Sequence, residues 1–331
     1  MKYRKLGNTD LEVSVVSMGC WGISGGDMWG KQDEEDAIAA IRRAYEKGIN
    51  FFDTAEAYGD GYSEELLGEA LNGFRKEVKI ASKVSAGHLH PKELKKSCEK
   101  SLKRLNTDYL DLYYIHWPNP DIPIFDTIKA LEELKNEGKI RYYGTSNFGV
   151  HQMTEFLKHS DLTVNQLPYN LLWRVIEQEI QPFCLKKSIG IAAYSPLLHG
   201  LLTGKFESPD SVPDGRARTR HFSKERQKTR HGEEGVEGKT FDTIEKIKSI
   251  CREFGTDITQ TSIAWPLTQS GVDTVIAGAR SPEHAEENAK AGDLELPEDL
   301  IIRLKQATKV LKSSLGNNPD LWQGGKDSRI R

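Results

Sequence analysis

Ile49-Asn50-Phe51-Phe52-Asp53 is a short apolar run that stops on a carboxylate, and two later runs repeat the pattern. Val78-Lys79-Ile80-Ala81-Ser82-Lys83 stops on an ammonium, and Leu110-Asp111-Leu112-Tyr113-Tyr114-Ile115-His116 on an imidazole. Each reads as a strand, and each is followed by a helical pattern. Tyr58 stands in the loop after the first run, Asp53-Thr54-Ala55-Glu56-Ala57-Tyr58-Gly59. Polar groups at the C-terminal ends of successive parallel strands are what a (β/α) barrel active site looks like.

Working outward, strand patterns fall near 14–18, 49–53, 78–83, 110–115, 140–144, 163–166, 190–194 and 273–277. Amphipathic stretches near 33–47, 63–72, 91–105, 123–137, 149–158 and 176–187 lie between them. Asp33 and Ser63, each before two acids, have the place of N-caps, and Gly48 and Gly138 that of C-caps. Eight alternations close a parallel barrel, whereas an open doubly wound sheet has five or six strands. Tyr3-Arg4-Lys5-Leu6 and Leu11-Glu12-Val13 flank Gly7-Asn8-Thr9-Asp10, a hairpin able to cap the barrel bottom. The predicted fold is one α/β TIM-barrel domain over 1–331.

Three segments fall outside the repeat. Residues 205–239 are rich in charge, Gly and Pro, the composition of a mobile loop. Helical patterns at 240–254 and 258–269 both precede the eighth strand, so one is extra. The tail after Leu311 has no periodicity, and its Trp322 calls for cover by packing across something. A loop at 205–239 that begins at Lys205 and carries several arginines is expected to close over an anionic cofactor, with Asn317 to Trp322 of the 312–331 tail over the substrate end.

A chain of 331 residues accommodates such a barrel with insertions. A net charge of −3 with a pI near 6.3 gives no electrostatic footprint for nucleic acid or an anionic membrane. No apolar run is long enough to span a bilayer, and Met1-Lys2-Tyr3-Arg4-Lys5-Leu6-Gly7 lacks the apolar stretch of a signal peptide. Cys20, Cys98, Cys184 and Cys251 form no Cys-x-x-Cys pair, which fits reduced thiols in a cytoplasmic protein.

A free tyrosine, with a pKa of about 10, is a poor proton donor or acceptor at neutral pH. A nearby ammonium stabilises the phenolate and lowers that pKa, and a carboxylate keeps the ammonium charged and oriented. An imidazole adds a donor to a substrate oxygen. The set suits carbonyl polarisation with proton delivery and needs a separate hydride source. Singly, Asp53 reads more readily as a helix cap, Lys83 as a solvated strand end and Tyr58 as a packed loop residue than as catalytic groups. Their joint placement at consecutive strand ends favours chemistry.

Phe52-Asp53-Thr54-Ala55-Glu56-Ala57-Tyr58-Gly59, Ala81-Ser82-Lys83-Val84 and Tyr114-Ile115-His116-Trp117-Pro118 resemble the aldo-keto reductase superfamily. Gly144-Thr145-Ser146-Asn147-Phe148, Asn165-Gln166, Tyr194-Ser195-Pro196-Leu197, Gly200-Leu201-Leu202-Thr203-Gly204-Lys205, Gly278-Ala279-Arg280 and Glu287-Asn288 continue the match in order. The resemblance runs over about residues 1–310 and is nearest to the bacterial and potassium-channel β-subunit branch. It implies a TIM barrel that binds NADP(H) without a Rossmann fold, with NAD(H) as the alternative cofactor. Consistently, Gly19, Gly22, Gly25 and Gly26 lack the Gly-x-Gly-x-x-Gly spacing. By the same resemblance Tyr58 is the general acid, Lys83 and Asp53 tune it, and His116 orients the carbonyl. Ser146, Asn147 and Gln166 hold the nicotinamide carboxamide and Tyr194 stacks on the ring. Ser195, Leu197, Gly200 and Lys205 follow the pyrophosphate; Arg280 and Ser281 take the 2′-phosphate; Glu287 and Asn288 reach the adenine; Pro196, Gly278 and His284 are further implied cofactor contacts. Cys20 and Trp21 complete the implied cofactor contacts. His284 stands where the branch often carries Gln or Arg, and Cys20 where Thr is common.

Trp21, Trp29, Trp117, Trp173 and Trp322, with Tyr169, Asn170 and Arg174, are candidates for the substrate pocket. A mixed aromatic and polar lining suits a sugar or polyol carbonyl better than a plain alkyl aldehyde. His88-Leu89-His90 has a metal-site spacing but no further ligands at other strand ends, so a surface loop and no metal are expected. The basic stretch from Arg216 to Arg230 is interleaved with acids and reads as a solvated loop, although Arg216 or Arg218 is placed to fold over cofactor phosphates. Arg329 and Arg331 are expected to be disordered. The rival reading is a nicotinamide-binding regulatory subunit on the same fold.

Overall fold

Hydrophobic alternation explains why the polar groups face inward. Strands β1 (Tyr3–Lys5) and β2 (Glu12–Ser14) form the expected antiparallel hairpin. Then come β3 (Val16–Gly19), β4 (Phe51–Asp53), β5 (Lys79–Val84), β6 (Leu110–Ile115), β7 (Ile140–Ser146), β8 (Val164–Pro168), β9 (Gly190–Tyr194) and β10 (Val272–Gly278). These eight pair in parallel and in chain order until β10 returns to β3 and closes the barrel. The computed structural model describes residues 1–331, Lys326 by its backbone alone.

Helices α1 (Glu34–Glu46), α2 (Tyr62–Ala70), α3 (Pro91–Arg104), α4 (Ile124–Asn136), α5 (Val150–Phe156) and α6 (Ile180–Lys187) each follow a barrel strand. Both α7 (Glu237–Glu253) and α8 (Ile258–Ala264) precede β10, which accounts for the extra helix. Helices α9 (Pro282–Lys290), α10 (Glu298–Ala307) and α11 (Lys309–Leu315) follow β10, and α11 carries helix beyond Leu311. Among the described residues no helix is long and apolar enough to cross a membrane.

Two apolar clusters share the strands between them. Leu6, Leu11, Phe51, Ala81, Leu112 and Tyr114 fill the barrel, so the hairpin supplies the bottom plug. Phe52, Ile80, Tyr113 and Ile115 instead pack outward in the larger cluster with the helices. Side chains alternate along a strand with period two. Phe51 inward therefore puts Asp53 inward, Ala81 puts Lys83 inward, and Leu112 and Tyr114 aim the next position two residues on, His116, at the same mouth.

Asp33 caps α1 through Asp36 N at 3.1 Å, and Gly48 and Gly138 have φ of 85° and 74°, as expected at these helix ends. Ser63 is different. A tight turn over Tyr58–Gly61 moves the start of α2 to Tyr62 and rolls Ser63 inward, where its hydroxyl donates to Cys20 O at 2.7 Å. Glu64 is then no solvated first-turn acid. It is fully buried and accepts from Arg104 Nε at 2.6 Å and Ser82 Oγ at 2.5 Å.

Candidate active site

Lys83 is fully buried, and its Nζ donates to Asp53 Oδ1 at 2.5 Å, Thr54 O at 2.7 Å and Tyr58 OH at 3.1 Å. All three of an ammonium's protons are thereby directed. The second Asp53 oxygen accepts from Gln166 Nε2 at 2.7 Å. His116 closes the group, its ring edge-on to Tyr58 at 5.7 Å between centroids. The four residues of the strand-end pattern thus meet at one point.

Burial alone would push Lys83 down, but the Asp53 carboxylate and the Tyr58 oxygen more than reverse this, and Lys83 stays charged. Burial pushes Tyr58 above the ordinary phenol range, and Lys83 only partly opposes it. This is the opposite net direction from the lowered phenol expected from the sequence, because desolvation outweighs one cation already shared with Asp53. Tyr58 is accordingly a neutral phenol at neutral pH, ready to donate. Burial, with Lys83 and then Arg329, holds His116 well below the ordinary imidazole range, so its ring is neutral as well.

A cavity of about 940 Å³ opens from this group and runs across the barrel mouth to the start of α9. Its inner part is lined by Trp21, Ser146, Asn147, Gln166 and Tyr194. Tyr194 OH donates to Asn147 Oδ1 at 2.8 Å, while Asn147 Nδ2 donates to His116 O at 3.1 Å and Ser146 Oγ at 3.0 Å. Ser195, Pro196, Leu197, Gly200 and Lys205 line the middle, and Gly278, Arg280, Ser281, His284, Glu287 and Asn288 the far end. A Cβ added at Gly200 would lie 3.4 Å from Lys205 Nζ and 3.6 Å from Arg216 Nη1, so this glycine leaves a cradle beside two cations. Among the described residues neither cation has a carboxylate within ion-pair distance. Burial lowers both below their ordinary values, with the Arg216 and Arg280 charges adding to it at Lys205 and the Arg280 charge at Arg216. That donor set fits a polyphosphate anion.

Arg280 is held firmly. Its Nε donates to Gln32 Oε1 at 2.6 Å, its Nη1 to Trp29 O at 2.5 Å, and its Nη2 to Lys31 O. It therefore ties the loop after β3 to the end of β10. Ser281 caps α9 through His284 N at 3.4 Å, which leaves the helix start open to the cavity.

Trp21, Trp29, Trp117 and Trp322 line the cavity, and Trp21 lies almost parallel to Tyr58 at 5.8 Å and 19°. Trp173 does not line it. The loop after β8 folds under the 205–239 segment, where the fully buried Trp173 ring meets His221 at 5.6 Å. Tyr169, Asn170 and Arg174 go the same way: Tyr169 OH and Arg174 bond Glu177, and Asn170 Nδ2 donates to Ser195 O. Cys20 is buried outside the cavity, its main-chain N–H on Asp53 O at 2.8 Å. His88 meets Glu56 at 2.9 Å.

The 205–239 segment contains buried Val212, Ala217, His221 and Phe222, and Arg220 ties it to Leu315 O and Asn318 O at 2.9 and 2.8 Å. Arg216, Arg218, Lys228 and Arg230 line the cavity. The ends of the tail, expected to be disordered, are anchored. Arg329 donates to both oxygens of the fully buried Asp320 and lies 3.5 Å over the Trp117 ring. Arg331 N donates to Gln152 Oε1 at 2.9 Å. No periodicity signals such a strap, because it is held by isolated anchors: the apolar Leu321 and Ile330, both buried, and the hydrogen bonds gathered by Asp320. His199 is a further lining residue that sequence reading passed over, although it directly precedes Gly200 of the quoted motif.

Residues 15–309 match the Aldo/keto reductase family. The chain belongs to that family. It is 36% identical over 302 residues to the aldo-keto reductase YhdN of Bacillus subtilis, covering 86% of this chain and 87% of that one. It is 32% identical over 336 residues to the NADH-specific methylglyoxal reductase of Escherichia coli, covering 94% and 100%. An aldo/keto reductase from Klebsiella pneumoniae, solved in complex with NADP and acetate, superposes with a TM-score of 0.73 at 27% identity, covering 100% and 99%. The closed barrel read from the strand count is the fold of this family, and the chain is one of its oxidoreductases.

Proposed function

We propose that this chain interconverts a small polar carbonyl (an aldehyde, ketone or sugar) and its alcohol, with Tyr58 as general acid and base and NADP(H) preferred over NAD(H). The observation that carries the reading is the Lys83 ammonium shared by Asp53 and Tyr58 inside the barrel mouth. In the reducing direction the Tyr58 hydroxyl gives its proton to the carbonyl oxygen. The phenolate left behind is stabilised by Lys83, whose charge Asp53 maintains. The neutral His116 ring orients that oxygen as a donor, since it carries one N–H.

When bound, the reduced nicotinamide supplies the hydride. Ser146, Asn147 and Gln166 would hold its carboxamide and Tyr194 its ring face. Lys205 and Arg216, beside the cradle at Gly200, would take the pyrophosphate. Arg280 and Ser281 would meet a 2′-phosphate at the start of α9, where backbone N–H groups favour an anion, and Glu287 and Asn288 the adenine. The cationic middle of the cavity would serve the pyrophosphate of either cofactor, and it is Arg280 with Ser281 at the far end that supports NADP(H), although the Escherichia coli relative is named for NADH. The Trp21, Trp29, Trp117 and Trp322 walls would face the substrate.

The test is a panel of small aldehydes, ketones and hydroxy-aldehydes followed by nicotinamide absorbance with each cofactor. Turnover with NADPH at higher kcat/KM than with NADH is expected. Cofactor binding without turnover of any carbonyl would instead favour the regulatory-subunit reading.

A further inference from the structure

His199 lies in the turn after β9, only 6% exposed, and lines the cavity just described. Neither of its ring nitrogens has a partner at full hydrogen-bond geometry, and the Arg216 main chain is the one group close enough to offer a weak contact. Buried polar groups are normally satisfied, and one left bare in a cavity wall calls for an explanation. His221 shows what a structural imidazole looks like in this chain: its nitrogens meet Thr219 Oγ1 and Leu172 O, both at 3.0 Å.

What surrounds His199 is aromatic. Trp322 stacks on it at 5.2 Å and 29°, and Trp29 and Trp21 present edges at 5.9 and 6.4 Å. Trp21 is also the ring lying against Tyr58, so His199 belongs to the wall that continues from the proton donor. Its backbone is strained as well: Leu198 and His199 have φ of 40° and 56°, a left-handed conformation that side-chain-bearing residues avoid unless their surroundings enforce it.

Burial, then the Arg218 and Arg216 charges, push the imidazole down to about 3, with the Arg216 carbonyl opposing only in part. A neutral ring presents one N–H donor and one bare acceptor nitrogen. That pair does not match an anion, which the nearby Lys205, Arg216 and Arg218 serve better. It matches hydroxyl groups, which donate and accept alike, while tryptophan rings cover the C–H faces between them.

We propose that His199 is a specificity-determining residue that hydrogen-bonds a hydroxyl of a polyhydroxylated carbonyl substrate, or of its alcohol product, held between Trp21, Trp29 and Trp322. This rests on the reading of the chain as a carbonyl reductase and narrows its substrate class.

The test compares glyceraldehyde with propanal, which lacks both hydroxyls, in the wild type, His199→Leu, His199→Met and His199→Asn. The two apolar variants guard against a folding failure in one. Asparagine keeps a donor and an acceptor and tolerates the left-handed backbone. The ratio of kcat/KM for glyceraldehyde to that for propanal should fall about 10-fold in the apolar variants, through KM, the loss expected for one or two neutral hydrogen bonds. His199→Asn should recover part of it. NADPH affinity, read by quenching of tryptophan emission, should change by less than about 2-fold, well inside the error of such bond estimates. An unchanged ratio overturns the proposal. So does weakening of NADPH with both carbonyls affected alike, which would assign His199 to the cofactor. If the wild type reduces neither carbonyl, the reductase reading itself fails only when the rest of the carbonyl panel is inert too. Saturable quenching by glycerol, present in the wild type and lost in His199→Leu, would then still support the hydroxyl site, and its absence would overturn it.

Discussion

Replacing Lys83 by methionine removes the cation on which the whole constellation is hung. The side chain is fully buried and directs its protons to Asp53, Thr54 O and Tyr58. Methionine fills much of the volume but leaves the Asp53 carboxylate with Gln166 as its remaining side-chain donor. Breaking a buried ion pair from one side costs roughly 3–5 kcal/mol. Unfolding entropy of about 2.1 cal/mol/K per residue, over this chain, is about 0.7 kcal/mol/K. The thermal midpoint of Lys83→Met should therefore drop by about 4–7 °C. Adding Asp53→Asn removes the stranded charge, so the double variant should melt closer to the wild type than the sum of the two single losses. Thermal unfolding by circular dichroism at neutral pH, with turnover measured on the same samples, reads both effects. A single variant within 1 °C of the wild type (under about 0.7 kcal/mol by the same conversion), or a double variant showing the full sum, would refute the buried pair.

Three further outcomes follow from other parts of the molecule. Arg280→Ala should weaken NADPH by about 10- to 100-fold, the value of a charge-assisted contact of roughly 1.5–3 kcal/mol, and NADH much less; equal weakening in fluorescence titrations would show that its grip on the 29–32 loop is what matters. The pH profile of kcat/KM for reduction should show no limb near 6.5, because burial, Lys83 and Arg329 hold His116 neutral; an inflection there that His116→Gln abolishes would contradict this. Burial raises Asp273, at the barrel bottom beside Gly7 N, to about 6. Its folded form binds a proton more readily than the unfolded chain does, so it lowers stability as pH rises from about 4 to 6, by at most about 3 kcal/mol. Asp273→Asn should then melt above the wild type at pH 7 and lose that advantage near pH 4; the same difference at both values would refute the assignment.

The barrel was legible because period-two alternation and the helical spacing are repeated in every unit. The inward aim of Asp53 and Lys83 follows from the same alternation once Phe51 and Ala81 are known to face inside. Ser63 was misread because cap rules are local, and the turn at Tyr58–Gly61 shifts the helix start by a few residues. The direction of the Tyr58 shift depends on desolvation, which no spacing encodes. Trp173 and Trp322 look alike as sequence. Only the tertiary course of the loop after β8 and of the tail sends the first beneath His221 and the second into the cavity. Arg329 reaches Trp117 through the single carboxylate of Asp320, a contact with no sequence period.

The most direct test of the proposed chemistry is the rate of carbonyl reduction by Tyr58→Phe with NADPH in excess, alongside its NADPH affinity. The phenyl ring preserves the packing against Trp21 and His116 and removes the hydroxyl, the proton to be given and the oxygen that accepts from Lys83 Nζ. Turnover should fall by about 10²- to 10⁴-fold, the usual loss of a general acid, with cofactor affinity nearly unchanged. Wild-type turnover in Tyr58→Phe would contradict the assignment of Tyr58 as the proton donor, whatever else in the site survived.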